Sequence, residues 1–247
     1  MPTPGTACRK PRLRPRARLI ALALPLLPAA AAVAGPADKV YMPIVEAGET
    51  EFELRGGHAR LDGGGDVNAL VFDVGYGVTP RWFTELAVEY ENGPGGSGEF
   101  AAVEWENVFQ LTEQGRYWLD LGLFAEYEVK REGGAADEIV IGPMLQKDVG
   151  RSQMNLNILF ERQVGAGAEN ETEVAYAGQV KWRGRPEREW GLQAFGEEDE
   201  HRLGPALFSS HRLHNGNKFK FDAALLFGVT PETPDVTARF QVEYEMY

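Results

Sequence analysis

Residues 115–130 read GRYWLDLGLFAEYEVK, and from Tyr117 onward apolar side chains fall on every second position: Tyr117, Leu119, Leu121, Leu123, Ala125, Tyr127 and Val129. Between them stand Trp118, Asp120, Gly122, Phe124, Glu126, Glu128 and Lys130. A period of two sends successive side chains to opposite faces of an extended strand. At about 3.3 Å per residue this run outreaches the usual strand of a soluble domain and could cross a hydrocarbon layer. The pattern predicts one wall strand of a transmembrane β-barrel.

The N-terminus is of another kind. CRKPRLRPRAR is basic without a single acid, LIALALPLLPAAAAVA is an apolar run interrupted by Pro25 and Pro28, and Ala32-Val33-Ala34 offers a small-x-small cleavage site. These features predict a signal peptide over 1–34, since a spanning helix needs about 20 apolar residues. Its removal takes six basic residues and the one cysteine, Cys8, and moves the formal net charge from −12 to about −18. A chain without cysteine builds no disulfide framework and no thiolate metal site. So negative a chain is also a poor partner for nucleic acid or anionic lipid.

Residues 35–50 read as a short periplasmic segment, and the alternation runs from 51 to 247 as one domain. Strands are expected near 51–61, 67–78, 81–91, 99–111, 116–130, 137–147, 151–164, 171–183, 188–197, 201–212, 218–229 and 235–246, about 12 in all. The connections alternate in character. Thr79-Pro80, TEQG at 112–115, DVG at 148–150, GRPE at 184–187 and HNGN at 214–217 are compact. DGGGD at 62–66, NGPGGSG at 92–98, REGGAAD at 131–137, GAGAENE at 165–171, GEEDE at 196–200 and TPETP at 230–234 are richer in glycine or acid. Bacterial barrels place short turns on the periplasmic side, longer loops outside, and an even number of antiparallel strands between them. Outer loops this short argue against a plug.

The apolar sets assign faces. Leu70, Phe72, Val74 and Tyr76 on one strand, and Met154, Leu156, Ile158 and Phe160 on another, are expected to meet lipid. Tyr76, Trp82, Tyr117, Trp182, Trp190, Phe219 and Tyr244 cluster near the expected periplasmic edge, where an aromatic girdle keeps rings in the interface and polar tips in water.

In this architecture residues 51–247 resemble the outer-membrane β-barrel proteins of Gram-negative bacteria. The opening VYMPIVEAGETEFELRGG and the hairpin YGVTPRWFTELAVEYE are similar to those of an uncharacterised group of exported proteobacterial proteins. The resemblance implies an outer-membrane location, contact with membrane lipid and lipopolysaccharide, and insertion by barrel-assembly machinery that reads a C-terminal aromatic such as Tyr247. It implies no chemistry. The apolar face of the last strand, Val236 to Met246, is one residue out of phase with Tyr247.

The opposite faces carry Glu85, Glu89, Glu104, Glu106, Asp120, Glu126, Glu128, Lys181, Arg183, Lys220, Asp222 and Arg239. As a lining they predict a small pore for polar or cationic solutes. The competing reading is a filled lumen in which the charges pair, leaving a structural or scaffolding barrel. Glu104-x-Glu106 and Glu126-x-Glu128 place four acids on one inner surface, read as a solvated acidic wall before a proton-sharing or divalent-cation site. The loop acids Asp62, Asp66, Glu169, Glu171, Glu197, Glu198, Asp199 and Glu200 stand where divalent ions bridge lipopolysaccharide, although ordinary solvated loop charge explains them as well. Ser209, Ser210, His211 and His214 are the nearest approach to a hydrolytic site, without a recognisable acid or oxyanion element. No catalytic residues, metal site or cofactor are therefore expected.

Overall fold

The structure, a computed structural model, describes residues 1, 35–61, 64–93, 96, 98–131 and 135–247. The expected signal peptide, Cys8 and Asp62 lie outside the described residues. Twelve antiparallel strands close into one barrel: β1 Thr50–Arg60, β2 Asp66–Thr79, β3 Trp82–Asn92, β4 Glu99–Gln110, β5 Asp120–Lys130, β6 Asp137–Val149, β7 Ser152–Val164, β8 Glu173–Arg185, β9 Arg188–Glu197, β10 Glu200–Arg212, β11 Lys218–Gly228 and β12 Val236–Met246. Each strand pairs with its neighbours in sequence. Closure comes from β1 against β12, in register from Thr50↔Met246 to Arg60↔Val236. Closure leaves no edge strand with unpaired backbone groups, which is what lipid demands of a spanning sheet.

Period two governs every wall. Leu70, Phe72, Val74, Tyr76 and Val78 of β2 face outward and are exposed, while Ala69, Val71 and Asp73 face inward and are buried. Outward aromatics gather at both ends of the wall. Tyr76, Trp82, Phe109, Trp182, Trp190, Phe219 and Tyr244 lie toward the end that holds the first and last strand termini. Tyr90, Phe100, Tyr127 and Phe227 lie toward the other. Trp182 stacks on Trp190 with ring centroids 6.2 Å apart, and Trp82 on Phe109 at 6.3 Å.

Three sequence expectations need correction. Strand β5 begins at Asp120, because Leu111–Leu119 form the β4–β5 connection; Tyr117 is an exposed residue of that turn. The turn is held by side chains: the Gly115 N–H donates to Asp120 Oδ1 at 2.7 Å and the Leu121 N–H to Thr112 Oγ1 at 2.8 Å. These bonds overrule the continued alternation, since a side-chain acceptor offers the backbone an alternative to the ladder. The β9–β10 connection is only Glu198-Asp199, with Glu198 at φ 44°, so the acid-rich stretch around it is strand; Glu197 is buried on the inward face. Finally, residues 35–49 do not lie outside the barrel. They run through it.

Candidate functional site

The segment from Gly35 to Glu49 follows the lumen from the loop end toward the end where β1 begins. Near the loop end, Arg202 of β10 donates to the Gly35 carbonyl at 2.6 Å and pairs with Asp38 at 2.7 Å. At mid-height the Tyr41 N–H donates to Asn157 Oδ1 at 2.8 Å, Asn157 Nδ2 donates back to the Tyr41 carbonyl at 2.9 Å, and the Tyr41 ring lies 3.9 Å from that of Phe124. At the terminus end the Val45 N–H donates to Gln110 at 2.8 Å, and the Gly48 N–H to the Gly77 carbonyl at 2.7 Å.

Three apolar clusters on the inward wall receive this segment. Ala37 belongs with Ala69, Val71 and Ala87; Val40 packs against Ala177, Phe195, Ala206, Phe208, Ala224 and Leu226; Tyr41 packs against Phe124, Val140 and Met144. Large inward apolar side chains have no place in a water-filled channel. Buried against the segment, each contributes about 25 cal/mol per Å² of apolar surface removed from water.

Inward glycines make the room. A Cβ on Gly57 would stand 1.9 Å from the Pro36 carbonyl oxygen, and one on Gly77 would stand 2.0 Å from that of Glu46. Gly77→Val is therefore expected to dislodge the segment while leaving the ladder bonds intact. In a Cys8→Ser background, a cysteine placed at Met42 should react with maleimide at least about tenfold faster in the Gly77→Val protein. An unchanged rate in a folded barrel would show that the segment is not held there.

Charge is the second fastening. The register sets carboxylate opposite carboxylate: Glu53↔Asp73, Glu53↔Glu243, Glu85↔Glu106, Glu106↔Glu126 and Glu104↔Glu128. Like charges directly opposite destabilise a sheet. Here two cations compensate. Arg55 of β1 reaches Glu53 at 3.1 Å, Asp73 at 2.5 Å, Glu104 at 3.2 Å and Glu106 at 3.3 Å. Lys39 of the segment reaches Glu85 at 2.9 Å, Glu106 at 3.2 Å, and Glu53 and Asp73 at 3.5 Å, with the Tyr41 ring 5.1 Å away.

From this cage a belt of side-chain hydrogen bonds continues around the wall. Gln241 donates to Glu53 at 2.8 Å, Arg239 to Gln241 at 3.0 Å and to Gln193 at 2.6 Å, Gln193 to Gln179 at 3.2 Å, Gln179 to Asn155 at 3.3 Å, and Asn155 to Gln146 at 2.9 Å. Beside the segment a cavity of about 410 Å³ remains, lined by Gln146, Gln179, Gln193, Lys181, Lys220 and Glu243 among others, and it reaches Lys39, Glu53 and Glu85.

All twelve charged residues expected on the inward face are there. Glu85, Glu104, Glu106, Asp120 and Arg239 are buried, while Glu89, Glu126, Glu128, Lys181, Arg183, Lys220 and Asp222 are half-buried. Their surroundings differ from those of a free lining. Arg239 pairs with Asp222 at 3.3 Å, Lys220 with Glu243 at 2.8 Å, Arg183 with Asp148 at 3.1 Å, and Lys181 stands 3.9 Å from Glu189. Ser209 and His211 share the outward face, 2.9 Å apart, and Ser209 also donates to the Glu187 carbonyl at 3.0 Å.

Sequence reasoning passed over the residues that organise the lumen: Lys39, Tyr41, Arg55 and the amides of the belt. A signal was present in the inward positions of Phe124, Val140, Met144, Phe195, Phe208 and Leu226. Apolar residues on a face meant for water require a partner inside.

At the mouth, burial pushes the Glu49 carboxyl up to about 7, helped by the charge of Glu245 and by a hydrogen bond with it, while Lys220 opposes the rise. A carboxyl raised on folding stabilises its surroundings fully below its unfolded value and loses that contribution as pH rises through the folded one. The segment end should accordingly loosen between about pH 4.5 and 7. Amide exchange at Gly48, corrected for its intrinsic rate, should lose protection across that range in the wild type and stay flat in Glu49→Gln. Equal slopes in the two proteins would remove Glu49 as the cause.

Neither a protein-family model nor a curated protein sequence matches this chain. Solved structures do. The NanC porin superposes with a TM-score of 0.53 at 9% identity, over 79% of this chain and 99% of the porin chain. The fold is that of the outer-membrane β-barrels. The β-domain of the Bordetella autotransporter BrkA is similar as well, with a TM-score of 0.52 at 13% identity over 81% of this chain and 99% of that domain.

Proposed function

We propose that this protein is an outer-membrane barrel, exported through the signal peptide read over 1–34, whose lumen is a cation-preferring conduit closed by its own residues 35–49. The observation that carries the reading is the occupant itself. A tethered segment places an ammonium group among carboxylates that the wall's register would otherwise leave opposed. Such a lining attracts cations and small polar solutes and repels anions.

Reversibility is supported by how the segment is held. It belongs to none of the twelve strands, its fastenings are ion pairs, apolar contacts and a few separate hydrogen bonds at Tyr41, Val45 and Gly48, and a cavity beside it is lined by cage residues. The outward apolar band between two aromatic zones supports residence in a membrane, with lipid and lipopolysaccharide around it and assembly machinery to insert it. A second reading, a permanently filled structural barrel, draws on the three apolar clusters. It predicts no flux under any condition.

Membrane fractionation and reconstitution test the proposal. The protein should partition with the outer membrane and change gel mobility on heating. In planar bilayers under a potassium chloride gradient, any current that Gly77→Val carries should reverse on the cation-selective side. Anion-selective reversal would overturn the cation preference.

A further inference from the structure

Lys39 is more than a fastening. Its ammonium group sits among Glu53, Asp73, Glu85 and Glu106 at 2.9–3.5 Å, with an aromatic ring at 5.1 Å. With Glu104, which Arg55 engages, five carboxyl groups meet two basic groups, so acceptor oxygens outnumber the donors that the cage supplies. Acceptors are still open: Glu85 is 5% exposed, its Oε2 holds Lys39, and its Oε1 has no hydrogen-bond partner, nor has Oδ1 of the buried Asp73. The cage also borders the 410 Å³ cavity through Lys39, Glu53 and Glu85, so a small solute has a route to it.

We propose that this cage recognises the primary ammonium group of a small alkylamine, that Lys39 is its tethered occupant, and that alkyl monoamines and diamines are the solutes the lumen admits. The proposal rests on the gated-conduit reading and names its substrate class. The chemistry follows from the occupant. An alkylammonium brings three donors to a cage in which four carboxylates already stand within 3.5 Å of one nitrogen. Its methylene stem matches what the lysine side chain leaves behind, and its charge is held by the ring face of Tyr41. A hard divalent cation would use the oxygens but not the ring or the apolar stem.

Lys39→Ala vacates the cage and Lys39→Met fills it without charge. In detergent micelles, with folding verified by heat-modifiable mobility, calorimetry should show Lys39→Ala binding n-butylamine hydrochloride at least about tenfold more tightly than n-butanol, the discrimination expected of hydrogen bonds to charged groups. Lys39→Met should bind neither, and Glu85→Gln added to Lys39→Ala should weaken the amine about tenfold. Equal binding of amine and alcohol would overturn the proposal. So would magnesium chloride binding to Lys39→Ala in preference to the amine, which would make the cage an inorganic cation site.

Should Lys39→Ala not fold, the wild-type cage still answers. In the Cys8→Ser, Met42→Cys protein, butylamine hydrochloride should compete with Lys39 and speed maleimide labelling beyond an equal concentration of potassium chloride. No acceleration overturns the inference. Binding in micelles is measured without flux, so a barrel that binds amine but passes no current defeats the conduit alone.

Discussion

Deleting residues 36–47 converts a closed barrel into an open one, with single-channel conductance expected to rise by about tenfold or more over the wild type. The lumen loses the contacts of Ala37, Val40 and Tyr41 with the three clusters, Lys39 from the ion cage, the ion pairs of Asp38 with Arg202 and Glu46 with Lys218, and the backbone bonds at Tyr41 and Val45. The ladder is untouched, since every strand pairs only with its neighbours around the closed circuit. The deleted protein should therefore insert and keep its heat-modifiable mobility. It should be strongly cation-selective, because Glu53, Asp73, Glu85, Glu104 and Glu106 would then face water with Arg55 as the one cation among them. Planar-bilayer recording makes the comparison directly. A folded deletion variant with wild-type conductance would establish a lumen closed by the wall itself and end the gating proposal.

Arg55→Met is expected to be the most destabilising single change in the wall, by about 3–5 kcal/mol, because removing one partner leaves its buried counter-charges uncompensated. Arg55 is 5% exposed and touches four carboxylates drawn from β1, β2 and β4. No neighbouring cation can substitute, since Lys39 is already shared among four acids. Urea unfolding from lipid vesicles measures the loss. Adding Asp73→Asn and Glu104→Gln to Arg55→Met should return more than half of it, because residues in one network are coupled rather than additive. A loss below 1 kcal/mol, or no recovery in the triple variant, would mean that the cage carries little of the barrel's stability.

Much of this architecture was legible without coordinates. Alternation in GRYWLDLGLFAEYEVK and its counterparts identified the strands, and the same parity assigned Glu104, Glu106, Glu126 and Glu128 to the inward face. Legibility failed where local chemistry outweighed period two. Asp120 and Thr112 draw the backbone of 111–119 into a turn, and Glu198 supplies a left-handed residue that shortens the β9–β10 connection to two. It failed again in 35–49, where VYMPIVEAG carries neither a clean strand period nor a helical one. Nothing local in such a segment states which surface it will cover.

By itself the sequence determined a closed sheet of about twelve strands, which side chains face outward and which inward, and the end at which both strand termini lie. Those properties follow from a period of two along each strand and from an even strand number, both of which are local. Only the tertiary structure decided what the inward faces meet. Tyr41 finds Asn157, Asp38 finds Arg202, and Lys39 finds acids on four strands, partners that lie from 14 to 164 residues away along the chain. Closure of the barrel brings those partners within bonding distance, so a lining that reads as the wall of a pore becomes the binding site of the chain's own segment.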